Sequence, residues 1–220
     1  MNLSASEENY IKSIYHLQQE SGMVNTNLLA SELSTRPASV TDMLKKLKTK
    51  KLLNYERYKG FKLNDTGKKV ALGIIRKHRL WEYFLVAKLG FEWDKVHPIA
   101  EELEHINSDE LIKKLEQFLG HPSFDPHGDP IPDINGKVPV IKQLNLVSIP
   151  IKENLTVSSV RNQSCPMLEL LKDYHIGIGT KLSVLKRFEF DGSHKIKISN
   201  HATFIISEQL AKNVFVHYDH

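Results

Sequence analysis

The sequence is short of cysteine and of long hydrophobic runs. Its single cysteine, Cys165, excludes an internal disulfide framework and a zinc site built only from cysteines. Hydrophobic residues make up 40% of the 220 residues, yet no apolar run approaches the roughly 20 residues that a membrane span requires. The first residues contain neither a basic segment nor an apolar core. The sequence therefore predicts no signal peptide, no membrane partner and a cytoplasmic location.

Positive and negative charges are unevenly distributed along the chain. Residues 1–90 contain 16 Lys and Arg against 8 Asp and Glu, whereas residues 92–133 contain 3 against 11. A basic end favours a polyanion as partner. An acidic segment is explained either by a bound cation or by a solvated surface, and composition alone leaves both explanations open.

Apolar residues in the first third of the chain recur at helical spacing. This spacing predicts a helix that ends near residue 21, a short helix capped by Thr26, and a third helix that begins near Pro37. The alternation within residues 55–63 predicts a hairpin with its turn at Lys59-Gly60, and a long helix follows over about 68–89. Helices followed by a basic hairpin are the order of a winged helix-turn-helix.

Beyond residue 90 the pattern changes from helical to β-like. Asp94 is positioned to cap a helix that runs to about Ile106, and a further helix is predicted to begin at Ser108. Residues 121–136 contain four prolines and two glycines, so they predict an irregular loop. The last part of the chain predicts a small barrel. Its predicted elements are one helix over 167–174 and strands over 144–149, 156–160, 181–188, 195–199 and 202–206.

The third helix has the composition of a DNA-reading helix. Five of the seven residues from Lys45 to Lys51 are lysine. Small residues at the start of such a helix allow close approach to base edges, while lysines farther along and in the wing neutralise phosphates. The predicted DNA contacts are Arg36, Pro37, Ala38, Ser39, Thr41, Lys45, Lys48, Arg57 and Lys59. The competing interpretation is a protein-binding winged helix whose lysines are only solvated.

The acidic segment and the helix before it carry imidazole and carboxylate groups on shared helical faces. The candidates are His78 and Glu82 on one helix and His97, Glu101, Glu104 and His105 on the next. Clustered carboxylates repel one another unless a cation lies among them. Carboxylate and imidazole ligands without sulfur suit manganese or iron(II). A polar helix face without a metal explains Glu101 and Glu104 taken alone.

Four runs of residues resemble the DtxR/MntR family of metal-dependent bacterial transcription repressors. The runs are residues 8–15 (ENYIKSIY), 36–41 (RPASVT), 76–82 (RKHRLWE) and 101–105 (EELEH). Residues 126–132 (PHGDPIP) resemble the segment that precedes the FeoA-like barrel in this family, and residues 170–185 resemble the barrel itself. The resemblance covers nearly the whole chain.

This resemblance implies the fold, the activity and the partners. The fold would be mainly α with a small β part: a winged helix-turn-helix over 1–72, a helical metal-binding and dimerisation domain over 73–136, and a FeoA-like small β-barrel over 140–220. The function would be repression of metal-ion uptake genes by a homodimer that binds a double-stranded DNA operator, with no small organic substrate. A metalloenzyme is disfavoured because the chain lacks a His-Glu-x-x-His motif. A metal-independent winged-helix DNA-binding protein stays open.

The resemblance also implies a regulatory metal site at His78, Glu101, Glu104 and His105. Iron-responsive members typically have cysteine at the position of Glu101, whereas manganese-responsive members have glutamate. The implied cofactor is therefore Mn(II), with Fe(II) as the alternative. Asn9 stands where members have Asp or Met, and its carbonyl oxygen is able to ligate a metal without supplying charge. Lys12 stands where two-metal members have Glu, and a lysine there disfavours a second cation.

A second site is implied for the longer manganese-type members. His97 and Glu82 match ligands of a second site in some members. Asp125 and His127 stand where longer members have Cys-x-His, and Cys165 falls near an acidic position of the barrel. We therefore predict a second site of Glu82, Asp125 and His127, with Cys165 as a further ligand, although an isolated cysteine is more often a buried apolar residue.

Overall fold

The computed structural model describes residues 2–56, 60–139, 143–161, 163–199 and 201–219. It divides into two compact units. Unit 1 consists of Met1–His78, Glu102–Ile112 and Pro132–Val138, and unit 2 of Arg79–Glu101, Lys113–Ile131 and Pro139–His220. Among the described helices, none is long and apolar enough to cross a bilayer.

Three helices and a two-stranded wing open the chain. In order, the elements are α1 (Ala5–Ser21), α2 (Thr26–Glu32), α3 (Pro37–Thr49), β1 (Leu53–Glu56), β2 (Gly60–Leu63) and α4 (Asp65–Leu89). The winged helix-turn-helix order predicted from the periodicity is thus confirmed. The predicted wing residues Arg57 and Lys59 lie outside the described residues.

Local hydrogen bonds explain where these helices begin. The Ser4 hydroxyl accepts the Glu7 N–H, and the Glu7 carboxylate accepts the Ser4 N–H at 2.8 Å, which is a capping box. Helix α2 is capped by Asn25 and not by Thr26 as predicted, because Asn25 Oδ1 accepts the Leu28 N–H at 2.8 Å.

Helix α4 begins three residues earlier than predicted. Asn64 Oδ1 accepts the Gly67 N–H at 2.9 Å, so residues 64–67 cap the helix and form its first turn instead of interrupting the chain. A Cβ at Gly67 would lie 2.3 Å from the carbonyl oxygen of Leu52, so only glycine fits against the backbone there. Glycine has a lower helix propensity than other residues except proline, but the close approach of Leu52 leaves no room for a side chain at this position.

The core of unit 1 joins the three helices to the wing. Ile11, Ile14, Leu47 and Phe61 are fully buried there. Strands β1 and β2 pair antiparallel with Leu53 opposite Leu63. Because these residues come from the apolar stripes predicted from the sequence, the opposite face of α3 remains exposed.

The rest of the described chain contains four more helices and the six strands of one antiparallel sheet, which lies in unit 2. They are α5 (Val96–Leu103), α6 (Asp109–Phe118), β3 (Leu144–Asn145), β4 (Leu155–Val160), α7 (Cys165–Asp173), β5 (Lys181–Arg187), β6 (His194–Ile198), β7 (Thr203–Ile206), α8 (Glu208–Asn213) and β8 (Val214–Tyr218). The six strands are ordered β3-β8-β4-β5-β6-β7. The predicted class, mainly α with a small β domain, is confirmed.

Several predicted boundaries in this part were wrong. The strand predicted over 144–149 is paired only at Leu144 and Asn145, because Leu146 and Ile149 enter the core from a turn. Helix α8 and strand β8 were not predicted, although Ser207 caps the helix by accepting the Leu210 N–H. Helix α5 ends at Leu103 and not near residue 106.

Candidate functional site

The exposed face of α3 carries the predicted DNA contacts. The exposed predicted contacts are Arg36, Pro37, Ala38, Ser39, Thr41, Lys45 and Lys48. Thr41 Oγ1 donates to the Pro37 carbonyl at 3.0 Å, and Lys45 pairs with Asp42 at 3.0 Å on the surface. The start of α3 is therefore small and exposed, with positive charge farther along, as DNA-reading helices require.

The first group of candidate ligands lies in unit 1 and is termed the α1 cluster. It consists of Glu8, Lys12, His78, Glu104 and His105. His78 Nδ1 lies 2.7 Å from Glu104 Oε2, and His105 Nδ1 lies 2.6 Å from Glu8 Oε2. Lys12 Nζ donates to both oxygens of Glu104, at 2.7 and 2.8 Å. Residues separated by more than 90 positions thus meet around one carboxylate.

Glu104 and His105 do not lie on a helix face with His97, as the sequence pattern predicted. They follow the last residue of α5 and occupy a turn. Glu104 is fully buried. Burial acts to raise the pKa of this carboxyl group, but the hydrogen bond from His78 and the charge of Lys12 outweigh it and hold the pKa below its ordinary value. Glu104 is therefore an ionised, buried carboxylate.

Asn9 follows Glu8 of the α1 cluster on helix α1. Its Oδ1 is buried and has no hydrogen-bond partner among the described residues. A buried amide oxygen without a donor is costly, which makes such an atom a candidate ligand. The prediction that Asn9 contributes an uncharged ligand remains a prediction.

The second group lies in unit 2 and is termed the loop cluster. It consists of Glu82 from α4 and of Asp125 and His127 from the loop after α6, and all three are buried. One ligand atom from each lies within 4.8 Å of the other two. His127 Nδ1 is 3.6 Å from Glu82 Oε2. The structure thus brings together three residues of the predicted second site.

The backbone of unit 2 fixes the ring of His127. His127 Nε2 lies 2.9 Å from the carbonyl oxygen of Trp93, so this nitrogen carries the proton and donates. The Trp93 ring stacks on the imidazole with centroids 5.5 Å apart. Nδ1 has no hydrogen-bond partner among the described residues. It faces Glu82 Oε2 at 3.6 Å, so it is the ring nitrogen that a metal would take in place of a proton.

Asp125 is held by the loop that contains it. Its Oδ1 accepts the N–H groups of His127 and Asp129 at 2.8 and 2.9 Å. Its Oδ2 has no hydrogen-bond partner among the described residues, and Arg79 Nε lies 3.4 Å away. Burial first, and then the charge of Asp129, raise the pKa of Asp125 to about 7. Burial acts to lower the pKa of His127, but Glu82 and Asp125 raise it above its ordinary value. A cation would relieve this crowding of carboxylates.

Close backbone packing sets the position of the loop. Gly128 has φ +82°, and a Cβ there would lie 1.9 Å from the carbonyl oxygen of Ser158 in β4. The Val160 N–H donates to the His127 carbonyl at 3.0 Å. The glycine therefore lets the loop lie directly on the sheet and places His127 beside Glu82.

The remaining predicted ligands are placed around the loop cluster. His97 Nδ1 lies 3.2 Å from Glu82 Oε1, and His97 Nε2 lies 3.5 Å from Glu101 Oε1. Cys165 begins α7 and is exposed, with Sγ 3.7 Å from the carbonyl oxygen of Asp94. Cys165 is not among the atoms that converge in the loop cluster, and its role as a ligand remains a prediction.

Two residues that support the loop cluster were not predicted from the sequence. Arg79 donates to the Pro130 carbonyl at 2.6 Å and to Asp129 at 3.1 Å, so it holds the loop. Trp93 supplies the acceptor for His127. A basic residue directly after His78 was part of the recognised motif, but nothing local in the sequence connects it to residue 129.

Models of three protein domains match successive parts of the chain. The N-terminal DNA-binding domain of iron-dependent repressors matches residues 2–61, and their metal-binding and dimerisation domain matches residues 64–133. A FeoA domain matches residues 144–218.

Individual proteins match as well. A solved manganese-dependent transcriptional repressor in complex with manganese is 32% identical, with a TM-score of 0.86 over 96% of this chain and 99% of that one. The transcriptional regulator MntR of Bacillus pumilus is 37% identical over 52% of this chain and 81% of its own length. The iron-dependent repressor IdeR of Mycobacterium tuberculosis is 30% identical over 58% of this chain and 55% of its own length.

Proposed function

This chain belongs to the iron-dependent repressor family, and we propose that it is a DNA-binding transcriptional repressor activated by Mn2+. The observation that carries the proposal is the loop cluster. Two buried carboxylates and a histidine converge there, with Asp125 Oδ2 and His127 Nδ1 lacking hydrogen-bond donors among the described residues. Such a set is stabilised by a divalent cation.

The donor atoms fit the proposed metal. The loop cluster offers two carboxylates and an imidazole, and the α1 cluster offers His78, Glu104 and His105, with Asn9 as a further predicted ligand. Oxygen and imidazole ligands suit Mn2+ and Fe2+ better than metals that prefer sulfur. The glutamate at position 101 and the manganese-bound relative favour Mn2+. Fe2+ is the second candidate because the mycobacterial relative is named for iron. Bound metal would supply positive charge among these carboxylates.

We assign the regulatory site to the α1 cluster. His78, Glu104 and His105 meet there, and Glu8 of α1 contacts His105. Asn9, the next residue of α1, remains a predicted ligand. Glu101 remains the further ligand that the family resemblance predicts. A site that joins α1 to the segment after α5 would link metal binding to the position of the winged helix. Metal favours the DNA-binding arrangement only by binding it more tightly than the alternatives.

A homodimer supplies the second recognition helix. In unit 2, Phe118 is 65% exposed and contacts Phe84, and Lys88 lies over its ring. A large exposed aromatic side chain on the matched dimerisation domain is typical of a subunit interface. Two copies of α3 would then read half-sites about one DNA turn, ~34 Å, or a multiple apart. The genes controlled would be those of metal-ion uptake.

The test is fluorescence anisotropy with DNA from the gene's own upstream region. Titrations are run at fixed salt without metal and with Mn2+, anaerobic Fe2+ or Zn2+. The variant Glu104→Ala with His105→Ala should lose metal-stimulated binding. Its matched control is Glu102→Ala with His121→Ala, which removes one exposed carboxylate and one exposed imidazole.

The outcomes separate the candidate functions. Binding stimulated by Mn2+ in the wild type and control, but not in the Glu104/His105 variant, is the expected result. Stimulation by Fe2+ alone would make the protein an iron sensor. Equal binding with and without metal would leave a winged-helix DNA-binding protein and remove the metal switch.

A further inference from the structure

Lys12 forms a close ion pair with the buried carboxylate Glu104. Its Nζ lies 2.7 Å from Oε1 and 2.8 Å from Oε2, so one ammonium spans both oxygens. The Lys12 side chain is 13% exposed and that of Glu104 is fully buried. An ion pair removed from water in this way is strong only where its geometry is good, and loss of one partner leaves a buried charge uncompensated.

Hydrogen-bond donors already occupy both oxygens of Glu104. His78 Nδ1 approaches Oε2 at 2.7 Å from α4, while Lys12 approaches from α1. A carboxylate has about four lone-pair positions on its two oxygens. A divalent cation bound to Glu104 would share these positions with an ammonium that has no lone pair to offer. Metal and ammonium are therefore competitors for the same negative charge.

We propose that Lys12 is an internal counter-ion of Glu104 that a divalent cation must displace, and that it sets the metal concentration at which the protein responds. This inference rests on the proposed function. Linkage makes the competition reciprocal: whatever the Lys12–Glu104 contact adds to the stability of the metal-free protein is subtracted from the affinity for metal. Lys12 is a positioning residue, since it acts on the metal through Glu104.

A second ion pair on the same helix provides a matched control. Lys50 in the segment after α3 contacts Glu7 of α1 at 2.7 Å, and the Lys50 side chain is 31% exposed. It also ties α1 to another part of unit 1, but it contacts Glu7 rather than Glu104. Loss of Lys50 therefore tests for a general effect of loosening α1.

The decisive measurement is the affinity of the full-length metal-free protein for Mn2+. Free Mn2+ is counted by electron paramagnetic resonance for the wild type, Lys12→Met, Lys12→Arg and Lys50→Met. Lys12→Met should bind Mn2+ about tenfold more tightly, a coupling typical of linked sites. Lys12→Arg keeps the charge and should stay within about twofold of the wild type, as should Lys50→Met. Unchanged or weaker binding by folded Lys12→Met overturns the proposal.

Thermal unfolding supplies a readout that a purely structural ion pair would not produce. Lys12→Met should melt below the wild type in chelator and gain more from Mn2+ than the wild type gains. An equal gain in both proteins overturns the proposal. If Lys12→Met does not fold, the proposal is tested instead on wild-type protein labelled with 15N-lysine. The Lys12 ammonium resonance, identified by its absence in Lys12→Arg, should shift on saturation with diamagnetic Cd2+, and an unmoved resonance overturns the proposal.

Different results would refute the proposed function and the role of Lys12. If neither the wild type nor any variant binds Mn2+ or Fe2+, the metal-activated repressor is excluded, and the inference falls with it. If the wild type binds Mn2+ with the same affinity as Lys12→Met, the repressor stands and only the role of Lys12 is refuted.

Discussion

Replacing Asp125 with asparagine should stabilise the metal-free protein and at the same time reduce its stabilisation by metal. The pKa of this carboxyl group rises from 3.8 to about 7 on folding, mainly through burial. A shift of about three units means that keeping this carboxyl group ionised lowers the free energy of unfolding by roughly 4 kcal/mol. Asparagine keeps the oxygen that accepts from His127 and Asp129 but loses the attraction of Arg79. We therefore expect a net gain of about 1–3 kcal/mol.

The pH dependence of this gain has a definite sign. Below pH 3.8 the carboxyl group is protonated in both the folded and the unfolded chain, so the substitution has no electrostatic effect. Between pH 3.8 and about 7 the unfolded chain loses the proton first, and the cost to the wild type grows. The gain of Asp125→Asn should therefore be complete only above about pH 7.

The assay is urea unfolding in chelator and in saturating Mn2+ at pH 8. Glu102→Gln is the control, since it removes an exposed carboxylate in the same acidic segment and should change neither free energy of unfolding by more than about 0.5 kcal/mol. If Asp125→Asn were less stable in chelator, or kept the full stabilisation by Mn2+, the argument from buried like charges would be refuted.

Three further predictions concern the other parts of the chain. Lys48→Ala should weaken binding to all DNA sequences similarly and reduce the slope of log affinity against log salt by about 1, measured by anisotropy at several salt concentrations. Phe118→Glu should convert a dimer to a monomer in light scattering, because it places a charge on the exposed aromatic surface. His194→Leu should make the protein more resistant to acid in thermal melts. Burial, and then the charge of Arg187, lower the pKa of this histidine, so the wild type loses stability as pH falls below about 6.5.

Each of these predictions has a contrary outcome. A loss confined to one operator would show that Lys48 reads bases. An unchanged mass for Phe118→Glu would place the dimer interface elsewhere, and Phe190→Glu, at a fully exposed position of another surface, is the matched control. If the melting temperature fell equally between pH 7 and pH 5 in His194→Leu and in the wild type, protonation of His194 would not be coupled to unfolding.

Local patterns predicted the elements well and the ion-pair partners poorly. The stripe of Val40, Leu44 and Leu47 identified α3 because period and burial coincide. The start of α4 was misplaced because the residues from Asn64 to Gly67 are typical of turns. Only the contact with Leu52 explains why a glycine occupies the first turn of this helix. Strand β8 was missed because its pairing partners in β3 and β4 lie far away in sequence.

The candidate ligands were predictable to the extent that they form short motifs. Glu104 and His105 were predicted from the pattern of imidazole and carboxylate groups and again from the family resemblance. Their predicted common helix face with His97 was wrong, since α5 ends before them. The contact between Lys12 and Glu104 spans 92 positions, and no periodicity encodes it. Lys12 was recognised only as a charge that disfavours a second cation, and its partner became visible in the fold.

The two clusters differ in how their negative charge is balanced. In the α1 cluster each buried carboxylate has a basic partner, Lys12 and His78 for Glu104 and His105 for Glu8. In the loop cluster the pKa of Asp125 is raised to about 7, which means that Arg79 and His127 do not compensate the carboxylates fully. A divalent cation gains most where the charge is least compensated. The loop cluster should therefore fill first, and the α1 cluster should respond only at concentrations that overcome Lys12. Family resemblance predicts both sites, and we expect the internal cations of this chain to set the order in which they respond.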